Sequence, residues 1–468
     1  MPPRHVAISD AAFYLICAYC AGIFAAGRSL NFLLIGGGLA ATLYFCGNRI
    51  GAWGWKFAGL VAAVFIFGGF YYQWYLARDA RTLTVPFDRN WSMVATVTED
   101  PHETDAYEVF TAEPWHSHAA MILAPPVSGF RYGDLVYLSG VMHPPDSPGD
   151  NPLYVATYAR LVAHGRGFWL RQWLETLKGG VISLYQRYLS PDEAALLGGI
   201  TIGAANTMSA TLKAQMAASQ TSYVLSMYGY KIAATTSLAA VILANFFSRK
   251  IIFPATLAVA ALFVVMAGAP ASAVRAGIMV SMALTANEFG RTLDKRNAIA
   301  GTAGVMLLIN PLLLAHDAGF ELSCLSVIGI VYLQTPIKRW WGYADSGFLD
   351  WKGGIVTTLA VLAPMIPFIT NADGQFSLTA IISNGCMFLA TPFTVAFGFV
   401  LALAGWLVPP SGYSIALLGK IILHYQLAIV RIFSTVVIML PVSFHAPLTL
   451  ILYYLGLGIF AFYANEDH

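Results

Sequence analysis

The chain has 468 residues, of which 57% are hydrophobic and 11% are charged, and its formal net charge is +2. Soluble domains usually carry about 25% charged residues, so this composition and a mean hydropathy of +0.64 exclude an ordinary soluble protein. Several apolar runs reach the roughly 18 to 20 residues that cross a bilayer, and they predict a polytopic α-helical membrane protein with about 10–12 transmembrane or re-entrant helices.

No sequence motif for nucleotide hydrolysis or zinc binding is present, because GxxxxGK[ST], HExxH and paired CxxC patterns are all missing. The five cysteines lie in apolar runs, where a free cysteine usually behaves as a small hydrophobic residue. We therefore expect no metal, no cofactor and no catalytic residue, and we expect that the chain is not an enzyme.

Three apolar runs, 11–27, 30–46 and 57–75, predict a transmembrane region that covers residues 1–83. The first run is followed by two more and by no small-residue cleavage site, so it does not read as a cleavable signal peptide. The distribution of basic residues weakly favours a cytoplasmic N-terminus.

Residues 84–165 form a polar segment in which five short runs alternate apolar and polar residues between turn clusters. This spacing predicts a small all-β barrel or sandwich. The segment has three Arg and no Lys against ten Asp or Glu. Because nucleic-acid affinity depends mainly on neutralising phosphates, the acidic balance predicts weak binding of single-stranded DNA by this domain.

Residues 166–189 read as an amphipathic helix, with large apolar side chains at helical spacing and basic residues between them. Such a helix is expected to lie in the membrane interface; a solvated linker helix is the alternative. Residues 190–468 then form a membrane core. Its first segment, near 190–209, is apolar but short and glycine-rich, which favours a re-entrant or broken helix.

Basic clusters recur at every second loop of this core, at 249–250, 291–296 and 338–339. The positive-inside rule places them in the cytoplasm and residues 84–165 outside it. The run 376–407 is too long for one simple span, so it predicts either one tilted helix or two half-helices.

Three charged residues lie inside or beside apolar runs, where a charge is costly and usually functional. Arg275 could line an anion path or extend toward the lipid headgroups. Glu321 needs a partner or a proton, and Arg275 is the candidate partner. Asp317, next to His316, could cap the following helix.

These residues belong to a pattern that resembles the transmembrane core of ComEC-type competence proteins. The pattern comprises a Pro-x-x-x-Val-Arg-Ala helix start at Pro270–Ala276, Asn310–Leu312, Asp317–Ser323 and Ser383-Asn384. The resemblance covers residues 190–463 well and the β domain more weakly. It implies that the domain at 84–165, with its Tyr132-Gly133-Asp134 turn, is an OB-like domain outside the cytoplasm. The metallo-β-lactamase-like domain that many members carry is expected to be absent.

The chain departs from the family at a signature with two histidines and a serine, which here reads Tyr223, Val224, Leu225, Ser226, Met227, Tyr228, Gly229, Tyr230, Lys231 and Ile232. Glu321 also stands where the family usually has a neutral amide. Tyrosines and a lysine could stack bases and attract phosphates, although tyrosines at helix interfaces are also ordinary packing. The predicted DNA path is lined by Tyr223, Tyr228, Gly229, Tyr230, Lys231, Arg275, Asp317, Glu321, Ser323 and Asn384.

The resemblance implies a channel of the bacterial cytoplasmic membrane that takes up single-stranded DNA during natural transformation. It also implies a separate cytoplasmic ATPase or helicase, DNA-receptor proteins and a possible homodimer, with membrane lipid as a further partner. A small-solute or ion-coupled transporter built around Arg275 and Glu321 is the alternative. A third interpretation is an intramembrane transferase that uses Glu321, His316 and Asp317, but no nucleophile supports it.

Overall fold

The computed structural model describes residues 8–28, 30–38, 52–82, 87–99, 101–103, 107–114, 119–125, 129–145, 152–342, 351–373, 376–377, 379–436, 438–440 and 447–466. The chain divides into two compact units. The first comprises Met1–Gln172 and Thr285–Glu321, and the second comprises Trp173–Leu284 and Leu322–His468.

The α-helices in chain order are α1 (Ile8–Gly27), α2 (Ala52–Thr82), α3 (Trp169–Tyr188), α4 (Pro191–Ile202), α5 (Ala210–Ala218), α6 (Tyr228–Ala244), α7 (Arg249–Met266), α8 (Ala271–Glu288), α9 (Lys295–Ile309), α10 (Leu313–His316), α11 (Ala318–Trp340), α12 (Trp351–Asp373), α13 (Thr379–Leu407), α14 (Pro409–Thr435) and α15 (Pro447–Glu466). A helical segment at 32–38 lies between α1 and α2. Short 3-10 helices cover Ala205–Thr207 and Ser222–Ser226.

The β-strands of the first unit are β1 (Asn90–Val97), β2 (His102–Glu103), β3 (Glu108–Pro114), β4 (Ala120–Ala124), β5 (Leu135–His143) and β6 (Leu153–Ala163). Five of them close into a barrel in the order β1-β5-β6-β4-β3, with β3 pairing again with β1 and β2 extending β3. Only β4 and β6 run parallel among these pairs. All five predicted strands are therefore confirmed.

The barrel encloses its own core of aliphatic and aromatic side chains, because alternate residues of each strand point inward. Tyr154 is fully buried in this core, and its hydroxyl donates to the carbonyl oxygen of Trp91 at 2.7 Å. Burial raises the pKa of Tyr154 to about 12. The hydroxyl therefore stays protonated and keeps its hydrogen bond at neutral pH.

The Tyr132-Gly133-Asp134 turn fixes the end of the barrel next to the start of α3. The buried carboxylate of Asp134 accepts from the backbone N–H of Arg131 at 2.9 Å and pairs with Nδ1 of His164 at 2.8 Å. Gly133 has φ +82°, and a Cβ there would lie 2.8 Å from the backbone nitrogen of Gly167. Glycine is therefore required both by its backbone angle and by the close approach of the chain.

Helices α1 and α2 contain the first and third predicted spans, and they pack with their backbones in close contact. A Cβ on Gly22 would lie 1.9 Å from the carbonyl oxygen of Phe65, which leaves room only for glycine. The predicted second span, 30–46, lies partly outside the described residues, since only 30–38 are described. Asp10 on α1 pairs with Arg296 on α9.

Within the described residues, seven helices are long and apolar enough to cross a membrane: α1, α2, α7, α11, α12, α13 and α14. Shorter apolar stretches lie in α6 and α15. The predicted 10–12 included re-entrant helices, and this total stays a prediction. Helices α8, which carries Arg275, and α9, which has 15 residues, are not among the seven. The chain is nevertheless a multi-pass membrane protein.

The second unit has a core formed by α3, α4, α13 and α14. The run 376–407, for which one helix or two half-helices were possible, forms one continuous helix, α13, over 29 residues despite Pro392. At about 1.5 Å per residue it is longer than the hydrocarbon core is thick. Such a helix fits a bilayer by tilting.

Candidate functional site

The second unit contains a short buried helix, α4, that ends inside the fold. Its start is held by the backbone N–H of Ser190, which donates to Oε2 of Glu193 at 2.8 Å. Its end is set by Gly203, which has φ +76° and lies against the ring of Tyr228. With 12 residues, α4 cannot span a membrane, so the predicted broken or re-entrant segment is present as a broken helix.

The broken end of α4 is capped by a buried lysine. Nζ of Lys231 donates to the carbonyl oxygen of Gly199 at 2.7 Å and to that of Leu225 at 2.6 Å. The first carbonyl belongs to the last turn of α4 and the second to the 3-10 helix Ser222–Ser226. Carbonyls at helix ends lack intrahelical partners and carry partial negative charge, so a cation stabilises both ends.

Lys231 is only 1% exposed, and Nζ lies 4.8 Å from the centroid of the Tyr228 ring. Two carbonyls and one aromatic face thus surround the ammonium group. Contact with a phosphate would require the side chain to leave at least one of these carbonyls. The assignment of Lys231 to the DNA path stays a prediction.

A second buried cation, Arg275, lies on α8 and is held by neutral groups. Its Nε donates to Oγ of Ser323 on α11 at 2.7 Å, and its Nη2 contacts the same oxygen. Nη1 lies 3.5 Å from Sδ of Met279. Among the described residues, no carboxylate pairs with Arg275, which is 9% exposed. A buried guanidinium without a carboxylate retains its attraction for an anion.

Tyr223 connects this arginine to the 3-10 helix. Its side chain lies close to Ser326 and to Arg275. Ser326 in turn donates to the backbone carbonyl of Ser323 at 2.7 Å. The segment that contains Tyr223 and Lys231 therefore joins both buried cations.

Asn384 and its neighbour Ser383, both on α13, hold the loop between α5 and the 3-10 helix Ser222–Ser226. Nδ2 of Asn384 donates to the carbonyl oxygen of Gln220 at 3.0 Å, and Oγ of Ser383 donates to that of Ser219 at 3.0 Å. Gln220 has φ +53°, a backbone conformation that these two side-chain bonds help to hold. We refer to Tyr223, Lys231, Arg275, Ser323 and Asn384 as the polar core.

The three predicted tyrosines do not share one stacking face. Tyr228 packs beside Lys231, Tyr223 contacts Ser326, and Tyr230 is exposed. Gly229 is also exposed, and a Cβ there would lie 4.0 Å from the Cβ of Ala276. Their predicted contact with DNA bases stays a prediction.

The two predicted acidic residues have their contacts in the first unit. Oε1 of Glu321 lies 3.6 Å from Nη2 of Arg28, without a hydrogen bond. Oδ1 of Asp317 accepts from the backbone N–H of Phe320 at 2.8 Å, which confirms the predicted helix cap. His316 hydrogen-bonds to the hydroxyl of Tyr72 at 3.0 Å.

The predicted pairing of Arg275 with Glu321 is therefore wrong. Glu321 and Ser323 are two residues apart on α11, which turns their side chains about 200° from each other around a helix with 3.6 residues per turn. Since Arg275 contacts Ser323, Glu321 points to the other side of α11 and pairs with Arg28.

The sequence interpretation missed one charged cluster altogether. Nδ1 of His424 lies 2.9 Å from Oε1 of Glu193, and Nη2 of Arg431 lies 3.7 Å from Oδ2 of Asp192. These pairs join the start of α4 to α14 and line a cleft of about 740 Å³. The sequence could have predicted part of this cluster, because His424 and Arg431 are seven residues apart and therefore lie on one face of an otherwise apolar helix.

Chemically, the polar core can attract an anion, because it holds two buried cations and no bound carboxylate among its described contacts. Within the described ranges, no three His, Cys, Asp or Glu side chains come close enough to share a metal ion. The charged groups of the polar core are thus an ammonium and a guanidinium, which bind anions by charge and hydrogen bonding.

Residues 200–467 match the model of a protein family described as "Competence protein". No curated protein and no solved structure matches the chain. The matched residues include every member of the polar core and more than half of the chain. The resemblance drawn from the motifs is confirmed, and the chain belongs to the competence protein family.

Proposed function

We propose that the chain forms a channel of the bacterial cytoplasmic membrane through which single-stranded DNA enters during natural transformation. The observation that carries the proposal is the buried guanidinium of Arg275, which contacts a hydroxyl and a thioether but no carboxylate among the described residues. Buried charges in membrane proteins are costly and mark transport pathways. A route for phosphates needs fixed cations of this kind.

The proposal includes a passive role for this chain. DNA would be driven by a separate cytoplasmic ATPase or helicase and delivered by DNA-receptor proteins, and the chain could act as a homodimer. We infer no catalytic step, because the polar core offers cations and hydroxyls rather than an acid–base pair. Tyr223 and Lys231 are proposed to guide the strand next to Arg275.

For the barrel we propose an OB-like fold outside the cytoplasm. The order β1-β3-β4-β6-β5 with one parallel pair supports a five-stranded OB-type barrel. The alternation of basic loops supports the placement. A reporter that is active only outside the cytoplasm should be active when fused near Gly149 and silent after Lys250; the reverse pattern would overturn the orientation.

The channel is tested by replacing Arg275 with Gln in a transformable strain that lacks its own copy. A hydrogen bond to a charged group contributes about 1.5–3 kcal/mol, so DNase-protected labelled DNA should fall about ten- to a hundred-fold. Surface DNA binding and the amount of membrane-inserted protein should not change. Arg291→Gln, which removes an exposed arginine, is the matched control. Normal transformation by a stable Arg275→Gln, Lys231→Gln double variant would contradict the assignment of these two residues to the DNA path.

One observation favours a small-solute transporter as a second candidate. Helix α4 is broken inside the fold, and broken helices line substrate sites in many transporters. This candidate predicts that a deletion strain loses uptake of a small solute and keeps normal transformation. The opposite result favours the DNA channel.

A further inference from the structure

Charge in the barrel and the helix that follows it is strongly segregated along the sequence. Residues 84–159 contain two Arg and ten Asp or Glu, whereas residues 160–187 contain five Arg or Lys and a single acid, Glu175. That acid lies 3.2 Å from Nζ of Lys178. The change of sign falls where the barrel meets α3.

The structure gathers basic side chains around the Tyr132-Gly133-Asp134 turn. Arg131 and His164 bind the carboxylate of Asp134 through a backbone N–H and a ring nitrogen, respectively. The backbone N–H of Arg166 donates to the carbonyl of Gly133 at 2.8 Å, and the guanidinium of Arg171 lies 4.3 Å from the ring centroid of Tyr132. We call Arg131, His164, Arg166 and Arg171 the basic collar.

The side chains of Arg131, His164 and Arg166 are exposed. The backbone contacts fix where these residues stand and leave the two guanidinium groups open to an outside ligand.

Beside the collar, the start of α3 exposes large apolar side chains. Phe168 is 59% exposed and Trp169 is 71% exposed. Both side chains belong to the same compact unit as the basic collar. Exposed tryptophans with adjacent cations are typical of helices that lie at the headgroup level of a bilayer.

We propose that the basic collar and the exposed side chains of Phe168 and Trp169 form a binding surface for anionic phospholipid headgroups. The two aromatic side chains would enter the boundary between headgroups and acyl chains, while Arg131 and Arg166 contact phosphate oxygens. The acidic body of the barrel is repelled by the same surface, so the charge segregation holds the collar end toward the membrane. This inference does not depend on what the polar core transports.

The surface is tested in the full chain with a photoreactive benzoylphenylalanine in place of Phe168. The protein is reconstituted into nanodiscs that contain equal amounts of phosphatidylglycerol and phosphatidylcholine. Cross-linked lipid is then identified by mass spectrometry. Each arginine near an anionic surface is expected to favour the anionic lipid about five-fold, so phosphatidylglycerol should clearly exceed phosphatidylcholine among the products.

The Arg131→Gln, Arg166→Gln double variant should lower this ratio about 25-fold or bring it close to one. Arg131→Lys with Arg166→Lys should retain the preference, since it keeps the charge. Arg160→Gln is the matched control, because Arg160 is exposed on β6 opposite Tyr137 and outside the collar. Equal labelling of both lipids by the native chain, cross-links confined to protein, or preferred labelling of an added single-stranded oligonucleotide would each overturn the proposal.

Discussion

In the barrel, the buried hydroxyl of Tyr154 donates to a backbone carbonyl and the buried carboxylate of Asp134 pairs with His164. In the polar core, the buried groups are the cations Lys231 and Arg275, and among the described residues they contact carbonyls, a hydroxyl, a thioether and an aromatic ring. In the first arrangement, each of these buried groups has its own hydrogen-bond partner. In the second, the two cations have no carboxylate partner among the described residues, which is what an anion path requires and what a merely stable core would avoid.

The largest loss of stability is expected from Lys231→Met in the polar core. The buried carbonyl of Gly199 and the half-buried carbonyl of Leu225 would lose their donor, and a fully buried polar group left without a partner costs about 1–3 kcal/mol. We expect the variant to lose about 2–4 kcal/mol of stability, seen as a clearly lower Tm in detergent. Lys250→Met, which removes an exposed lysine at the start of α7, is the control. An unchanged Tm for Lys231→Met would contradict the capping role.

A smaller effect is expected from Tyr154→Phe in the barrel. The change removes one neutral hydrogen bond, to Trp91, and leaves the ring in place. The stability of the barrel should fall by about 0.5–1.5 kcal/mol. Because the pKa of Tyr154 is raised to about 12, the hydroxyl keeps its proton through neutral pH. The loss should therefore be the same at pH 6 and pH 8. A loss that differs between these two pH values would show that another titrating group dominates.

The smallest effect is expected from Glu321→Gln. Nη2 of Arg28 lies 3.6 Å from Oε1 of Glu321, and the arginine side chain is about half-exposed. Exposed ion pairs contribute about 0–1 kcal/mol to stability. Because Glu321 is not the partner of Arg275, the change should also fail to restore DNA uptake to Arg275→Gln. Transformation assays on the single and double variants measure this, and partial rescue would reinstate the pair that the sequence predicted.

Local patterns in the sequence were sufficient for the barrel and for Asp317. The strands of the barrel alternate buried and exposed residues between clear turn clusters, so each strand carries its own signal. Asp317 caps the helix that begins at the next residue, and this contact lies within four positions along the chain. Both predictions needed only neighbouring residues.

Contacts between segments that are distant along the chain could not be predicted from local sequence patterns. The family motifs contain Arg275, Ser323 and Asn384, but they did not indicate that Arg275 binds Ser323 or that Asn384 binds the carbonyl of Gln220. Glu321 was chosen as the partner of Arg275 from charge alone, although a helix turns positions 321 and 323 in opposite directions. The sequence also could not predict that α13 is continuous, because Pro392 and Asn384 are compatible with either a break or an unbroken helix.

The position of Lys231 has a mechanical consequence. A single nitrogen atom holds both the end of α4 and the 3-10 helix Ser222–Ser226. A displacement of this atom therefore removes a hydrogen bond from both segments at once. An anion that drew the ammonium group away would leave the carbonyls of Gly199 and Leu225 without this donor in the same step, and the two segments would respond to the anion together.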